Sequence, residues 1–250
     1  MSTLSIITPV YSGGDEFLID AYRSLRDQQL PTGWEWEWVV QEDGTTGYPL
    51  RRLPRDPRIT PGCGRAGRAC MARTAALSRA SGSLVRTLDA DDLLTPGALA
   101  RDIAVLTEHP ELGWTACAAL DLHPDGTLTG VDTDPPGGRL ALGSLFASYT
   151  TRRLAILGTT LCVRRDLVLA LGGWPALPSS EDVGLMLALD AVAPGWFITE
   201  VGAHYRKHPA QSTQAAAFHD PQEATAKRAI ITERVNALRR LGWSTHRPCS

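Results

Sequence analysis

The sequence predicts an α/β fold: a mostly parallel sheet with helices on both faces, followed by a smaller mixed region. Three observations carry this. Short apolar runs alternate with helix-patterned stretches over roughly the first hundred residues, the order that parallel strands need because each return crossing runs through a helix. Polar clusters follow the runs at their carboxyl ends, where such sheets bind ligands. A length of 250 residues suits one folded unit with a single proper core.

The elements follow in order. Leu4 to Val10 is a buried-strand run ended by Pro9 and the Ser12-Gly13-Gly14 turn. A helix follows from about Asp15 to Gln29, then a strand from Trp36 to Gln41 with Glu42-Asp43-Gly44-Thr45-Thr46 at its end. An irregular Arg, Pro and Gly-rich connection, Leu50 to Gly67, holds one short strand near Ile59. A helix from about Arg68 to Ala80 stops at Ser81-Gly82, and Leu84 to Leu88 is the third main strand. Thr95-Pro96 stands at the cap and first-turn positions of a further helix.

Beyond it come a strand at Trp114 to Leu122, a hairpin turn at Pro124-Asp125-Gly126 and a loop from Asp132 to Gly138. A helix near Leu140 to Ser148, a strand at Ile156 to Val163 and a short helix at Arg165 to Leu171 lead to Gly172-Gly173-Trp174-Pro175. A helix from about Glu181 to Val192 and a strand at Trp196 to Val201 follow. Pro221 to Leu241 is helical by pattern, with Ala226, Ile230, Val235 and Leu238 as its apolar positions. The predicted organisation is a main domain over residues 1–220, divided at about 115/116, with a helix and tail over 221–250.

Lys and Arg number 25 against 27 Asp and Glu, a formal charge of -2, so no sequence-wide attraction to nucleic acid or anionic membrane is expected. The five cysteines are odd in number and form no CxxC pair, which argues against a disulfide framework or zinc cage and fits a reducing cytoplasm. No run approaches the roughly 18 apolar residues of a membrane span, and the first residues lack the basic region of a signal peptide.

The sharpest chemical motif is Leu88-Asp89-Ala90-Asp91-Asp92. Three carboxylates in four residues repel one another, and hard oxygens of this kind suit Mg²⁺ or Mn²⁺, which also bind diphosphate. The same run reads alternatively as an acidic cap ahead of a helix. Asp43 is an acceptor-only carboxylate able to take an imide N–H or a ribose hydroxyl, or else the first residue of an Asx turn.

Taken together, four ordered motifs make the sequence resemble the inverting nucleotide-sugar glycosyltransferases of family 2, which have the GT-A fold. They are Ile6-Ile7-Thr8-Pro9-Val10-Tyr11, Gln41-Glu42-Asp43-Gly44-Thr45-Thr46, Leu88-Asp89-Ala90-Asp91-Asp92, and Gly172-Gly173-Trp174 with Ser180-Glu181-Asp182. The resemblance implies a nucleotide-contacting loop with Pro9 and Tyr11, a base contact from Asp43, and a DXD motif at Asp89, Ala90 and Asp91. Asp91 would be the chief metal ligand, with Asp89 supporting ribose or metal. Gly173, Trp174 and Glu181 fall on the acceptor side, and Asp182 is the general base. In the late segment His204-Tyr205-Arg206-Lys207-His208, Arg206 or Lys207 would face the diphosphate and His204 or His208 would complete the metal shell.

Two positions depart from the commoner family pattern: Glu42 replaces Asp in the acidic turn, and Arg73 stands where many members have Asn, able to reach a base or phosphate. Trp34, Trp36 and Trp38 share one strand face, for helix packing in preference to sugar stacking. The expectation is a metal-dependent transferase moving a sugar from a nucleotide donor, UDP favoured, to a small-molecule, peptide or saccharide acceptor. The competing readings are a nucleotidyltransferase of similar plan and an inactive sugar-nucleotide-binding module. Against the first, the loop after strand one carries Asp15 and Glu16 in place of Arg or Lys. The C-terminal helix could pack on its own domain or mediate a homodimer.

Overall fold

A computed structural model describes residues 1–130, 134–151, 156–214 and 220–244. Asp132, in the expected loop, and Cys249 lie outside the described residues. The strands are β1 (Ser2–Val10), β2 (Trp34–Asp43), β3 (Ile59–Gly64), β4 (Leu84–Thr87), β5 (Leu93–Leu94), β6 (Trp114–Leu122), β7 (Leu128–Gly130), β8 (Gly138–Leu140), β9 (Cys162–Arg164) and β10 (Gly195–Arg206). The helices are α1 (Leu18–Arg26), α2 (Arg68–Leu77), α3 (Ala98–Glu108), α4 (Ser144–Thr150), α5 (Arg165–Ala170), α6 (Glu181–Val192) and α7 (Pro221–Arg240).

One sheet runs β3-β2-β1-β4-β9-β6-β10-β5, with β7 on β6 and β8 on β10. β3, β2, β1 and β4 are mutually parallel; β9 is antiparallel to both β4 and β6, and β6 is parallel to β10. The fold is thus the mixed α/β architecture that the alternating runs predict. Because β1 buries both faces, its side chains alternate between two apolar layers. Leu4 and Ile6 meet α1 and α3 through Leu25 and Leu99, and Ile7 faces the layer holding α2 and α6. Each fully buried leucine or isoleucine contributes about 1.5–3 kcal/mol.

The tryptophans of β2 settle into packing. Trp36 and Trp38 are buried, Tyr22 of α1 stacks on Trp38, and Arg58 covers Trp36. Trp38 Nε1 donates to Thr8 Oγ1 at 2.8 Å, and that hydroxyl donates to the Leu88 carbonyl at 2.7 Å. This relay ties β2 through β1 to the residue just before Asp89.

Several sequence expectations need correction. The third helix begins at Ala98 and not beside Thr95, because the Thr95 hydroxyl is spent on the Val201 carbonyl and a two-residue strand, β5, precedes it. Residues from Ile156 to Val163 do not form one strand: Gly158–Thr160 is a 3-10 turn and only Cys162–Arg164 pairs. Its carbonyls are claimed from outside, by the side chains of Thr87 and Arg86. Gly138–Leu140 is a strand on β10, and the helix starts at Ser144. Helix α7 buries Lys227, Ile231 and Val235 against α6, while Ala226 and Ile230 face solvent. No described helix is long and apolar enough to cross a membrane.

Candidate active site

Strands β1, β2 and β4 are parallel, so the loops after Val10, Asp43 and Thr87 open on one edge of the sheet. A cavity of about 480 Å³ lies there, within the range of nucleotide-sized ligand sites. The two described non-glycine residues with left-handed backbone, Arg68 (φ 67) and Ser180 (φ 62), both line it. Such strain is held only where surrounding structure over-determines it, and it clusters at ligand sites. Arg68 Nη1 donates to the Pro178 carbonyl at 3.0 Å, joining the two strained segments.

On the β1/β2 side, Pro9 and Tyr11 line the wall. The Tyr11 ring lies against Gly14, where an added Cβ would stand 2.5 Å from the ring, and its hydroxyl donates to the Ala210 carbonyl at 3.1 Å. Glu42 and Asp43 divide their work. Glu42 is buried and caps its own turn, accepting from the Thr46 hydroxyl at 2.5 Å and the Gly47 N–H at 2.6 Å. Asp43 accepts the Gly67 N–H at 2.6 Å and faces the cavity, with acceptor capacity left for a ligand.

The acidic cluster is held by partners from α2, from β10 and from the segment that follows it. Arg73 of α2 is buried and forks between Asp89, at 2.5 Å, and Glu181 at the start of α6. Burial alone would lower its pKa, but Asp89, Glu181 and Asp182 hold it above the ordinary arginine value. Asp91 Oδ2 lies 2.8 Å from His208 Nε2. Burial and the charge of Asp89 push the Asp91 carboxyl up, against the pull of His208. Asp92 is fully buried and well raised by burial and its acidic neighbours, and it accepts the Arg206 N–H at 3.0 Å.

Asp182 lines the same cavity from the first turn of α6. Its Oδ1 accepts the N–H of Val183 at 2.8 Å. Burial raises its pKa, opposed by Arg73. Gly158 makes room for it: a Cβ there would stand 2.3 Å from Asp182 Oδ2. The position requires glycine for that close approach.

Pro9, Tyr11, Asp43, Arg73, Asp89, Ala90, Asp91, Glu181, Asp182 and His208 therefore share one cavity. Gly173, Trp174, His204, Arg206 and Lys207 do not line it. Arg206 turns its guanidinium onto the Phe17 ring and the Asp91 carbonyl, pinning the end of β10 to the acidic loop. His204 lies within β10 beside Leu93 and Leu120. Trp174 is buried in the apolar layer under α6, and its backbone N–H donates to the Thr74 hydroxyl at 3.2 Å, fixing the Gly173-Trp174 turn behind α2. Sequence reasoning missed the Gly158-Thr159 turn, whose threonine hydroxyl accepts the Asp89 N–H at 3.3 Å. No local signal marks it, since its role comes from residues some seventy positions away.

A family model described as "Glycosyl transferase family 2" matches residues 5–127, about half of the chain. The O-antigen biosynthesis protein RfbC of Myxococcus xanthus is 27% identical over 238 residues, 91% of this chain and 18% of that protein. The uncharacterised protein y4gI of Sinorhizobium fredii (strain NBRC 101917 / NGR234) is 31% identical over 114 residues, 43% of this chain and 12% of that one. This chain thus spans less than a fifth of the length of these curated relatives. The crystal structure of S. aureus TarS 1-349 in complex with UDP-GlcNAc has the same fold. Its TM-score is 0.70 at 21% identity, covering 86% of this chain and 61% of that chain. The complex of TarS 1-349 with UDP gives 0.66 at 20% identity, covering 84% and 61%. The chain belongs to glycosyltransferase family 2, and its mixed sheet is that of the GT-A structures.

Proposed function

From that family membership we propose that the chain transfers a sugar from a nucleotide-sugar donor, UDP-sugar favoured, to an acceptor hydroxyl with inversion and with help from a divalent cation. One observation carries the reading. Asp182 stands in the same cavity as Asp89 and Asp91 but on a different element, the start of α6, with a carboxyl that accepts from the Val183 N–H and whose pKa burial has raised. A single displacement needs such a base, able to take the acceptor proton while the hydroxyl attacks C1 from the face away from the diphosphate. No enzyme nucleophile is needed.

Tyr11 and Asp43 would receive the nucleoside, and the fold shared with the UDP and UDP-GlcNAc complexes of TarS supports uracil there. Arg73 keeps Asp89 and Glu181 fixed relative to each other. Among the described residues no group of three or more His, Cys, Asp or Glu stands ready for a metal. The pair Asp91 and His208 does fit Mg²⁺ or Mn²⁺: a hard oxygen and an imidazole, leaving the remaining positions to diphosphate oxygens. Such an ion would neutralise charge on the leaving diphosphate. Asp89, committed to Arg73, orients the loop and need not ligate.

The acceptor is read more coarsely: the similarity to a protein named for O-antigen biosynthesis favours a saccharide. Calorimetry with UDP and GDP, with and without Mn²⁺, tests the donor side. Tight UDP binding only with Mn²⁺ is expected, and metal-independent or absent binding of both nucleotides overturns the reading.

A further inference from the structure

Behind the acidic rim lies a second charged pair. Arg86 in β4 and Asp102 in α3 are both buried, at 0% and 1% exposure. Arg86 Nε donates to Asp102 Oδ2 at 2.9 Å, and Asp102 Oδ1 accepts the Thr115 hydroxyl at 2.6 Å. The pair occupies the layer between sheet and α3 whose other members include Leu84, Leu88 and Leu99. An ion pair taken wholly out of water adds little to stability, and apolar side chains of like volume often do as well or better.

The guanidinium does what an apolar side chain could not. Its Nη1 donates to the Thr87 carbonyl at 3.1 Å and to the Thr159 carbonyl at 2.5 Å. The next residue, Thr87, donates its hydroxyl to the Gly158 carbonyl at 2.5 Å. Two successive β4 side chains thus grip two successive carbonyls of the 3-10 turn. That turn offers the Thr159 hydroxyl to the Asp89 N–H and the bare Gly158 Cα to the Asp182 carboxylate.

The geometry points to Arg86 as a positioning residue: held by Asp102, it fixes the Gly158-Thr159 turn and so sets the spacing between Asp89 and Asp182. A lysine keeps the charge but lacks the planar fork that reaches Asp102 and both carbonyls at once. The inference rests on Asp182 as base, since spacing matters through that residue.

The test uses the full chain with Arg86→Met/Asp102→Leu and with Arg86→Lys. Both are expected to bind UDP with Mn²⁺ within about threefold of the parent, because the nucleotide wall is untouched. Turnover should fall about 10–100-fold with donor KM little changed, as misplacement of a reacting group by an ångström can cost about that much. Amide exchange over residues 156–164 should quicken about tenfold or more, while exchange over β1 stays as it was. Parental turnover and parental exchange in the double variant overturn the inference. If that variant does not fold, Thr115→Val, which removes the hydroxyl on Asp102, takes its place with the same expected directions and the same overturning result. If the parent binds no UDP with Mn²⁺, the functional reading fails by itself, and the exchange comparison alone decides whether Arg86 fixes the turn.

Discussion

The carboxylates that line the cavity are not all held alike, and the difference falls even between neighbours at the start of α6. Four have a partner supplied by the fold: Asp43 the Gly67 N–H, Asp89 and Glu181 the Arg73 guanidinium, and Asp91 the His208 ring. Asp182, beside Glu181 in the first turn of α6, accepts from the backbone N–H of its own successor and is gripped by no side chain among the described residues. Groups that must hold a ligand gain from being fixed beforehand. On the proposed reading of Asp182 as base, spare acceptor capacity and a raised pKa suit a group that accepts a proton.

The strongest way to break this contrast is Asp182→Asn. Loss of turnover by about 10²–10⁴-fold is expected, with UDP affinity by calorimetry within about twofold. If nucleotide affinity fell as far as turnover, Asp182 would belong with the binding groups. Next in size, Arg73→Met should cost about 3–5 kcal/mol in urea unfolding, because it leaves the buried Glu181 and the partly buried Asp89 uncompensated. A cost under about 1 kcal/mol would mean that Asp89 and Glu181 are not held as described.

His208→Ala should weaken Mn²⁺-dependent UDP binding about 10–100-fold and leave metal-free binding alone. Equal weakening in both conditions would make His208 a packing residue against Phe17, whose ring lies 5.0 Å away.

The smallest effect is on pH. The raised Asp182 pKa, from burial opposed by Arg73, places the acid limb of kcat/KM above the ordinary aspartate value of about 3.9, with activity falling as pH drops through it. The same shift has an opposite sign for folding. A carboxyl that holds its proton more tightly when folded favours the folded state below the unfolded pKa, and that advantage is lost as pH rises through the folded value. Asp182→Asn should therefore raise Tm near pH 8 and leave it unchanged near about pH 4. A Tm gain equal at both pH values would assign the change to packing.

Much of the β1/β2/β4 side of the cavity was legible in the sequence. The runs at Leu4, Trp36 and Leu84 are each long or apolar enough to declare a strand, and the acids that follow them are local in sequence. Helix α6 was equally plain, because Ser180-Glu181-Asp182 opens an uninterrupted apolar stretch. What stayed hidden depends on distant partners. An arginine in a strand, Arg86, gives no sign that Asp102 will take it inward. Residues from Ile156 onward have strand-like composition, yet side chains from β4 claim their carbonyls before any ladder can. Helix α7 shows its apolar positions openly, but Lys227 takes the inward place beside Ser179 while Ile230 points out. Arg206 and His208 are two residues apart, and only the tertiary anchoring of Arg206 on Phe17 and Asp91 decides which one enters the cavity.

The strand order carries a consequence for modularity. β9 is a three-residue seam between the parallel strands and the β6/β10 pair, the obvious place to cut a chimera. Yet the halves trade pieces across it. β5, from the first half of the chain, forms the far edge beyond β10, and the segment after β10 returns His208 to Asp91. A transplanted second half would therefore bring its own histidine to the recipient's acidic loop, and on the proposed function donor affinity would be inherited from both parents, so acceptor preference could not be exchanged alone.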